Sequence, residues 1–275
     1  MVAIFLLPIL LAASQVKITA PGPHVAHRPG VFNPAREDRL DSYWRRAQQE
    51  DYRSPEELAA QIERDKRRGR QIPLLMRGNP REKIIALTFD DGPHPETTRA
   101  LLAILAKEKV KATFFVIGFM VERDPDLVHA EALEGHEIGN HTFSHVTLTH
   151  LPTHEARTEY RACSDLIKSI TGKYPAFCRP PGGDYDARVV RAGRDVGMTT
   201  VLWTDDPGDY ADPGTGVIAQ RTLDRLSNGG IVLLHDGAKQ TLLVLPQIIE
   251  HAKKKGFRFV RVSELESSAT ARLVR

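Results

Sequence analysis

Two adjacent aspartates, Asp90 and Asp91, stand where an apolar run gives way to a turn. The run covers residues 84–89, is rich in β-branched and aromatic residues, and is stopped by Gly92 and Pro93, which predicts a buried strand. Carboxylates at the end of a buried strand are costly unless they bind a cation or handle protons. Because successive side chains on a strand point opposite ways, the pair can serve two separate tasks. The plainer alternative is that one aspartate caps the turn and the other is solvated.

A second group suited to chemistry is the pair His141 and His145, spaced as His-x-x-x-His. On a helix this spacing puts both imidazoles on the same side, one turn apart. With a nearby carboxylate they make a set of two histidines and one aspartate, which leaves an open position for water on a bound metal ion. One of the two aspartates is then a metal ligand and its neighbour a free base. Taken alone, the two histidines fit a solvated surface equally well.

Strands and helices alternate from Lys83 onward, which predicts a parallel sheet in an α/β fold, and the number of units favours a closed or nearly closed barrel. Polar clusters follow five of the predicted strands: Asp90–Asp91, His141–His145, Arg179, Asp205–Asp209 and His235–Asp236. In a barrel of parallel strands all these ends lie on one rim, where reactive loops sit. A histidine that ends an apolar strand, as His235 does, is more often a core residue, but on this rim it could donate a proton.

The predicted elements are short and closely spaced, as expected for one compact domain. Predicted strands cover residues 84–89, 112–117, 136–139, 199–203, 231–234 and 257–260, with a short segment reaching Arg179. Predicted helices cover residues 95–109, 124–135, 153–172, 186–196, 215–226 and 243–255.

Five short motifs give the chain a family resemblance. They are TFDDGP at 88–93, HTFSH at 141–145, RPPGG at 179–183, DPGDY at 206–210 and LLHD at 233–236. In this order they resemble the motifs of the polysaccharide deacetylases, carbohydrate esterase family 4, whose catalytic unit is the NodB homology domain. Any one motif is weak, but five in the right order are highly specific. The resemblance covers about residues 83–262.

The resemblance implies a distorted, incomplete (β/α) barrel of the TIM type, with seven or eight strands. An N-terminal helical arm, predicted from the residues themselves, lies outside it. It implies a metal-dependent hydrolase, with Zn²⁺ or another divalent transition metal such as Co²⁺. The implied substrate is an acetylated polysaccharide or oligosaccharide, of the peptidoglycan or chitin type. Removal of N-acetyl groups from its N-acetylglucosamine units releases acetate.

Catalytic and metal-binding roles are implied residue by residue, from the motif positions that this chain matches. Asp90 matches the general base, and Arg179 the arginine that orients it. His235 matches the general acid, and Asp209 the aspartate that tunes it. The metal ligands matched are Asp91, His141 and His145.

Residues that would meet the substrate include two departures from the family pattern. Leu233 matches an apolar wall for the acetyl methyl group. Gly182 stands where the family often has tyrosine, so its backbone N–H still serves the oxyanion but an aromatic wall of the sugar groove is lost. Tyr210 replaces the usual tryptophan. Both departures concern the fit of the sugar rather than the metal.

Other functions remain open at this point. An enzyme of the same scaffold could be an O-acetyl esterase acting on xylan or another glycan, which acetate release from acetylxylan would reveal. A catalytically silent glycan-binding module is a different class, although it need not retain a complete metal set, base and acid. An intracellular deacetylase of a small metabolite or glycan fragment depends on whether the chain is exported.

The regions outside the motifs predict export and an arm. Residues 1–20 are predicted to be a signal peptide or hydrophobic leader, because their apolar stretch is too short to span a bilayer. No basic residue precedes that stretch, which departs from the usual signal peptide. The balance favours export and predicts an extracytoplasmic protein. Residues 21–80 are predicted to be a charged linker and helical arm, with a helix starting at Ser54-Pro55-Glu56-Glu57. The catalytic domain is placed at 81–265 and a tail at 266–275.

Partners other than the glycan find little support in the composition. A formal net charge of +3 over 275 residues is weak support for an anionic partner, and no pattern indicates nucleic acid or a protein partner. Membrane contact is expected only through the leader. The two cysteines, Cys163 and Cys178, are compatible with a disulfide or with two buried thiols.

Overall fold

The computed structural model describes residues 52–270, with side chains described through residue 268. The predicted leader, most of the predicted linker and the end of the predicted tail lie outside these residues. The domain boundaries and the leader therefore stay predictions. Within the described residues, no helix is both long enough and apolar enough to cross a membrane.

The described residues form one parallel sheet of eight strands. Its hydrogen-bonded order is β1-β6-β5-β4-β3-β2-β7, and β8 pairs with the start of β2. The strands are β1 (Leu74–Leu75), β2 (Ile84–Gly92), β3 (Thr113–Val116), β4 (Glu137–Asn140), β5 (Phe177–Cys178), β6 (Thr199–Val201), β7 (Gly230–His235) and β8 (Arg258–Phe259).

Helices connect successive strands and cover the sheet. They are α1 (Pro55–Arg67), α2 (Thr98–Glu108), α3 (Gly118–Arg123), α4 (Pro125–Leu133), α5 (Thr153–Thr171), α6 (Ala187–Asp195), α7 (Thr215–Arg225), α8 (Lys239–Lys254) and α9 (Val262–Thr270). The short α3 was not predicted, because six residues carry too little periodicity. Helix α8 begins four residues before the predicted start and contains Pro246.

The sheet closes almost completely on itself between β6 and β7. Strand β1 fills part of the opening, since Leu75 pairs with Val201 and the backbone N–H of Gly78 donates to the carbonyl of Gly229 at 2.8 Å. Past the end of β6 the chain then meets β7 directly, through a bridge between Asp205 and Val232. The predicted distorted, incomplete (β/α) barrel is thereby confirmed. Strand β2 pairs with β3, β7 and β8, and all nine of its residues are buried.

The N-terminal helix α1 packs on the barrel. It begins at the predicted residue, because Ser54 and Glu57 form a reciprocal capping box ahead of Pro55. Its Leu58 is fully buried in the same apolar cluster as Trp203. The side-chain amide of Gln61 donates to the backbone carbonyl of Tyr185 at 2.9 Å. These contacts tie the described part of the predicted arm to the elements that carry the polar motifs.

Both cysteines are free and buried, so the open choice is settled in favour of two thiols. The Cys163 thiol donates to the carbonyl of Val116 at 3.4 Å. Burial raises the pKa of Cys178 to about 12, although Thr200 and Tyr160 oppose the shift. Both groups therefore stay protonated and behave as small core residues.

We expect Leu58→Ala to destabilise the domain by about 2–4 kcal/mol, because truncation leaves a cavity where α1 meets the core. Chemical denaturation gives the free energy of unfolding. Leu243, whose side chain is 76% exposed on α8, supplies the control, and Leu243→Ala should change that free energy by less than about 0.5 kcal/mol. Equal effects from the two substitutions would contradict the packing of α1.

Candidate active site

A bulge at the end of β2 sets the positions of the two aspartates. The register of β2 against β3 shifts between Asp90 and Gly92, and Asp91 has a positive φ of 71°. In an unbroken strand the two side chains would point to opposite faces, whereas a bulge re-aims one of them. Both carboxylates consequently approach His141, with Oδ2 of Asp90 at 3.7 Å and Oδ1 of Asp91 at 3.4 Å from its Nε2.

Three ligand atoms converge beside this bulge. Nε2 of His145 lies 3.2 Å from Oδ1 of Asp91 and 3.2 Å from Nε2 of His141, which closes a triangle with the 3.4 Å edge between Asp91 and His141. All three side chains are buried. Among the described residues, this is the group of histidine, cysteine and carboxylate side chains whose geometry could hold a metal ion.

The chemistry of these atoms fits a divalent ion. Nδ1 of His141 lies 2.8 Å from the backbone carbonyl of Arg179, to which it must donate, so its Nε2 carries a lone pair. Ligands about 2.0–2.1 Å from one tetrahedral Zn²⁺ ion lie about 3.3 Å from one another. The separations between the two imidazoles and the carboxylate match this distance. The set supplies three ligands and leaves a fourth position open.

The charge state of Asp91 is suited to this use. Burial alone would raise the pKa of Asp91, but the neighbouring His145 imidazole contributes most to outweighing burial and holding that pKa well below its usual value. The carboxyl group is therefore ionised at neutral pH, as a metal ligand must be.

The two histidines are not on a helix, which corrects the interpretation of their spacing. Residues 141–145 form a loop in which Thr142 and His145 both have positive φ, 68° and 54°. The loop is held by α5, because one carboxylate oxygen of Glu159 accepts from the backbone N–H groups of Phe143 and Ser144 at 3.0 and 2.8 Å. The imidazoles meet because the loop turns sharply, not because of a helical repeat.

Arg179 secures Asp90 inside the barrel. Its Nη1 donates to Oδ1 of Asp90 at 2.6 Å and to the hydroxyl of Thr88 at 2.9 Å. The guanidinium is fully buried and lies over the ring of Phe115, with 4.2 Å from its carbon to the centroid. The other oxygen of Asp90, Oδ2, has no hydrogen-bond partner among the residues that the structure describes. Asp90 thus keeps one oxygen fixed and the other available.

His235 lies at the end of β7, beside Asp90 in the neighbouring strand, and is oriented by Asp209. Its Nδ1 is 2.7 Å from one oxygen of Asp209, and its backbone N–H donates to the other at 2.9 Å. Burial alone lowers the pKa of His235, but the charge and hydrogen bond of Asp209 outweigh burial and raise it to about 9. The imidazole is therefore protonated at neutral pH. Its Nε2 is buried and, within residues 52–270, makes no hydrogen bond.

The remaining predicted site residues surround this cluster. Leu233 is fully buried on β7, two residues before His235. The Tyr210 ring meets the His235 ring edge-on, with 5.4 Å between centroids. Gly182 is buried at a positive φ of 60°, which favours glycine. The structure therefore brings all ten predicted site residues to the same end of the barrel.

Two residues with clear contacts in the site were missed. Thr241 donates its hydroxyl to Asp209 at 2.7 Å, and Tyr52 donates its phenol hydroxyl to Oδ2 of Asp91 at 3.4 Å. No local pattern marks either residue, since both lie outside the polar clusters that follow the strands. Only the folded chain connects them to the site.

We expect His141→Ala to weaken binding of Zn²⁺ by more than about 100-fold, because loss of a direct ligand should exceed the loss seen for outer residues. Competition with a chromophoric chelator measures the affinity. His154, whose side chain is 72% exposed on α5, supplies the control, and His154→Ala should leave the affinity unchanged. Unaltered binding in the His141 variant would rule out the three-residue metal set.

Removal of the Asp209 charge should lower the pKa of His235 from about 9, because Asp209 is the main group that opposes the effect of burial, and only the smaller influences of Asp91 and Asp90 remain. Asp209→Asn keeps the shape and one acceptor oxygen, and the imidazole titration can be followed by NMR. Asp212→Asn, at an exposed aspartate three residues on, is the matched control and should leave the value near 9. A pKa that stays near 9 in the Asp209 variant would show that another group charges the imidazole.

Comparison with known proteins now places the chain. Residues 77–201 match the family described as polysaccharide deacetylase. A peptidoglycan-N-acetylglucosamine deacetylase of Bacillus cereus is 42% identical over 189 residues, which cover 67% of this chain and 88% of that protein. The sequence resemblance on which the fold was predicted is thereby confirmed.

Solved structures of the family superpose on this chain, and they include both a deacetylase and a pseudoenzyme. A peptidoglycan N-acetylglucosamine deacetylase superposes with a TM-score of 0.69 at 32% identity, covering 72% of this chain and 94% of that one. A carbohydrate esterase family 4 pseudoenzyme from Bacillus anthracis superposes almost as well, with a TM-score of 0.68 at 29% identity, covering 71% of this chain and 69% of that one. Similarity of fold therefore does not by itself establish activity, which depends on the side chains described above. On sequence and structure together, this chain belongs to the polysaccharide deacetylases of carbohydrate esterase family 4.

Proposed function

We propose that the chain is a zinc-dependent deacetylase that removes N-acetyl groups from N-acetylglucosamine units of a glycan and releases acetate. The observation that carries the proposal is that two ionisable side chains, each oriented by a buried partner, lie beside the candidate metal ligands. Asp90 is held by Arg179 with one oxygen available, and His235 is held by Asp209 in its protonated form. Hydrolysis of an amide needs a base for the attacking water and an acid for the departing amine.

A divalent ion held by Asp91, His141 and His145 would supply polarisation of the acetyl carbonyl and a lower pKa for the attacking water. The proton transfers are assigned to side chains of the protein. Oδ2 of Asp90, which lies 3.7 Å from Nε2 of His141, accepts the proton of the attacking water. Arg179 keeps that carboxylate in place by binding Oδ1. The base therefore acts next to the metal set without being part of it.

His235 supplies the proton that the reaction needs for the departing amine. An amine leaves an acyl centre poorly unless it is protonated, so the acid must still hold its proton at working pH. A pKa of about 9 meets this condition. Nε2 of His235 transfers the proton, and Asp209 stabilises the imidazole through Nδ1. We assign the backbone N–H of Gly182 to the developing oxyanion, and Leu233 and Tyr210 to the walls of the acetyl pocket.

The identity of the glycan is supported by the relatives. The Bacillus cereus protein is named as acting on N-acetylglucosamine in peptidoglycan. We propose the same class of substrate here, with other N-acetylglucosamine polymers such as chitin fragments as related candidates. A polymer of the cell envelope also suits export, which we propose on the apolar character of residues 1–13.

Acetate release tests the proposal directly. Enzyme loaded with Zn²⁺ is incubated with peptidoglycan, chitooligosaccharides and acetylxylan, and we expect release from the two N-acetylated substrates. Asp90→Asn should lower that rate by at least about 100-fold, because the water loses its base, while Zn²⁺ affinity is retained. Asp195→Asn, at an exposed position on α6, is the control for the substitution itself. Release from acetylxylan alone would indicate an O-acetyl esterase, and full activity in the Asp90 variant would remove Asp90 as the base.

A further inference from the structure

An aromatic residue from outside the family's motifs lies in the middle of the site. Tyr52 precedes α1, 39 positions before the metal-set carboxylate to which its hydroxyl donates. Its ring lies against two residues that follow much later in the chain. The ring centroids of Tyr52 and Tyr210 are 4.2 Å apart with a 31° tilt, and those of Tyr52 and His235 are 4.9 Å apart, edge to face.

We propose that Tyr52 is a positioning residue for the metal site and that its ring forms an aromatic wall of the site beside Gly182, which has no side chain. This inference rests on the proposed function, in which Asp91 is a metal ligand. It extends the functional site to the N-terminal arm.

The first argument is that the two oxygens of Asp91 make different contacts. Oδ1 faces His141 and His145 at 3.4 and 3.2 Å, whereas Oδ2 accepts from the Tyr52 hydroxyl at 3.4 Å. A carboxylate with one oxygen held by a hydrogen bond presents the other in a fixed direction, which favours one-oxygen coordination of the metal. Tyr52 thereby fixes which oxygen of Asp91 serves the ion.

The second argument is the anchoring of the segment that carries Tyr52. The backbone N–H of Arg53 donates to the carbonyl of Gly182 at 3.0 Å, and the guanidinium of Arg53 pairs with Asp184 at 2.7 Å. The Ser54 capping box and the buried Leu58 of α1 continue the attachment. Tyr52 is therefore held by contacts that are independent of its own ring.

The third argument is the place where the segment attaches. Gly182 has no side chain, and the segment of Tyr52 is hydrogen-bonded to the backbone of Gly182 itself. The tilted Tyr52 ring lies against Tyr210 and meets His235 edge to face. An aromatic surface contributed by a distant part of the chain thus lies beside the proposed acid. Aromatic faces of this kind suit the apolar faces of sugars and acetyl groups.

Tyr52→Phe removes the hydroxyl and keeps the ring. We expect the affinity for Zn²⁺ to fall by about tenfold, at the lower end for an outer residue because the bond is long. The measurement is chelator competition on metal-free protein with Zn²⁺ alone. Saturating Zn²⁺ should restore most of the acetate release, and thermal unfolding of the metal-free protein should be unchanged. Tyr174→Phe, at an exposed tyrosine after α5, is the matched control and should change none of these values.

Arg53→Ala tests the anchor separately. Loss of the ion pair to Asp184 should loosen the segment, weaken Zn²⁺ binding in the same direction as Tyr52→Phe, and raise KM for a chitooligosaccharide. Tyr52→Ala removes both hydroxyl and wall, so it should combine the loss of metal affinity with a raised KM.

Two results would overturn the proposal. One is a Zn²⁺ affinity in Tyr52→Phe equal to that of the parent protein. The other is a Tyr52→Ala variant with a higher kcat/KM than the parent, which would show that the ring obstructs the substrate. Failure of the proposed function is distinguishable from both, because the parent protein would then bind Zn²⁺ yet release no acetate from any substrate.

Discussion

Arg179 is the residue on which the geometry of the whole site depends. Its guanidinium holds Asp90, and its backbone carbonyl fixes the tautomer of His141. A fully buried cation is tolerated only with a partner, and Asp90 provides one at 2.6 Å while the rings of Phe115 and Trp203 cover the guanidinium faces. Burial lowers the pKa of Arg179, and Asp90 opposes that shift. Arg179 therefore contacts both the proposed base and one residue of the proposed metal set.

His235 and Asp209 form a second buried pair of a cation and a carboxylate. In this pair the carboxylate orients the cation, whereas Arg179 orients the carboxylate of Asp90. A buried imidazole would ordinarily be neutral, but the carboxylate 2.7 Å from Nδ1 keeps it cationic. The two pairs are joined through the sheet, because Asp90 on β2 lies beside His235 on β7. Neighbouring parallel strands thus carry the proposed base and the proposed acid. The fold brings the two groups together without a long loop.

The comparison with a pseudoenzyme of nearly equal structural similarity shows why the side chains decide function. A barrel of this kind is stabilised by its apolar clusters, whether or not its rim is active. In this chain the residues proposed as base and acid, their two orienting partners and the three convergent candidate metal ligands are all present and buried. Keeping so many ionisable groups away from water is costly unless they work together. The arm adds Tyr52 to this set through contacts on the carbonyl of Gly182 and the side chain of Asp184.

Features set by short-range pattern could be predicted from the sequence alone. The apolar run before Asp90, the capping box at Ser54 and the polar cluster after each strand depend on neighbouring residues and on the shared direction of parallel strands. The bulge at Asp91, the sharp loop that joins His141 to His145 and the reach of Tyr52 into the site depend on tertiary structure. Each requires a contact between distant segments, such as Glu159 on the histidine loop or Arg53 on Gly182. Periodicity records which face of an element is buried, but it carries no information about these long-range hydrogen bonds. The sequence by itself therefore determined which motif residues share the site, and the tertiary structure decided how they are aimed and which further residues join them.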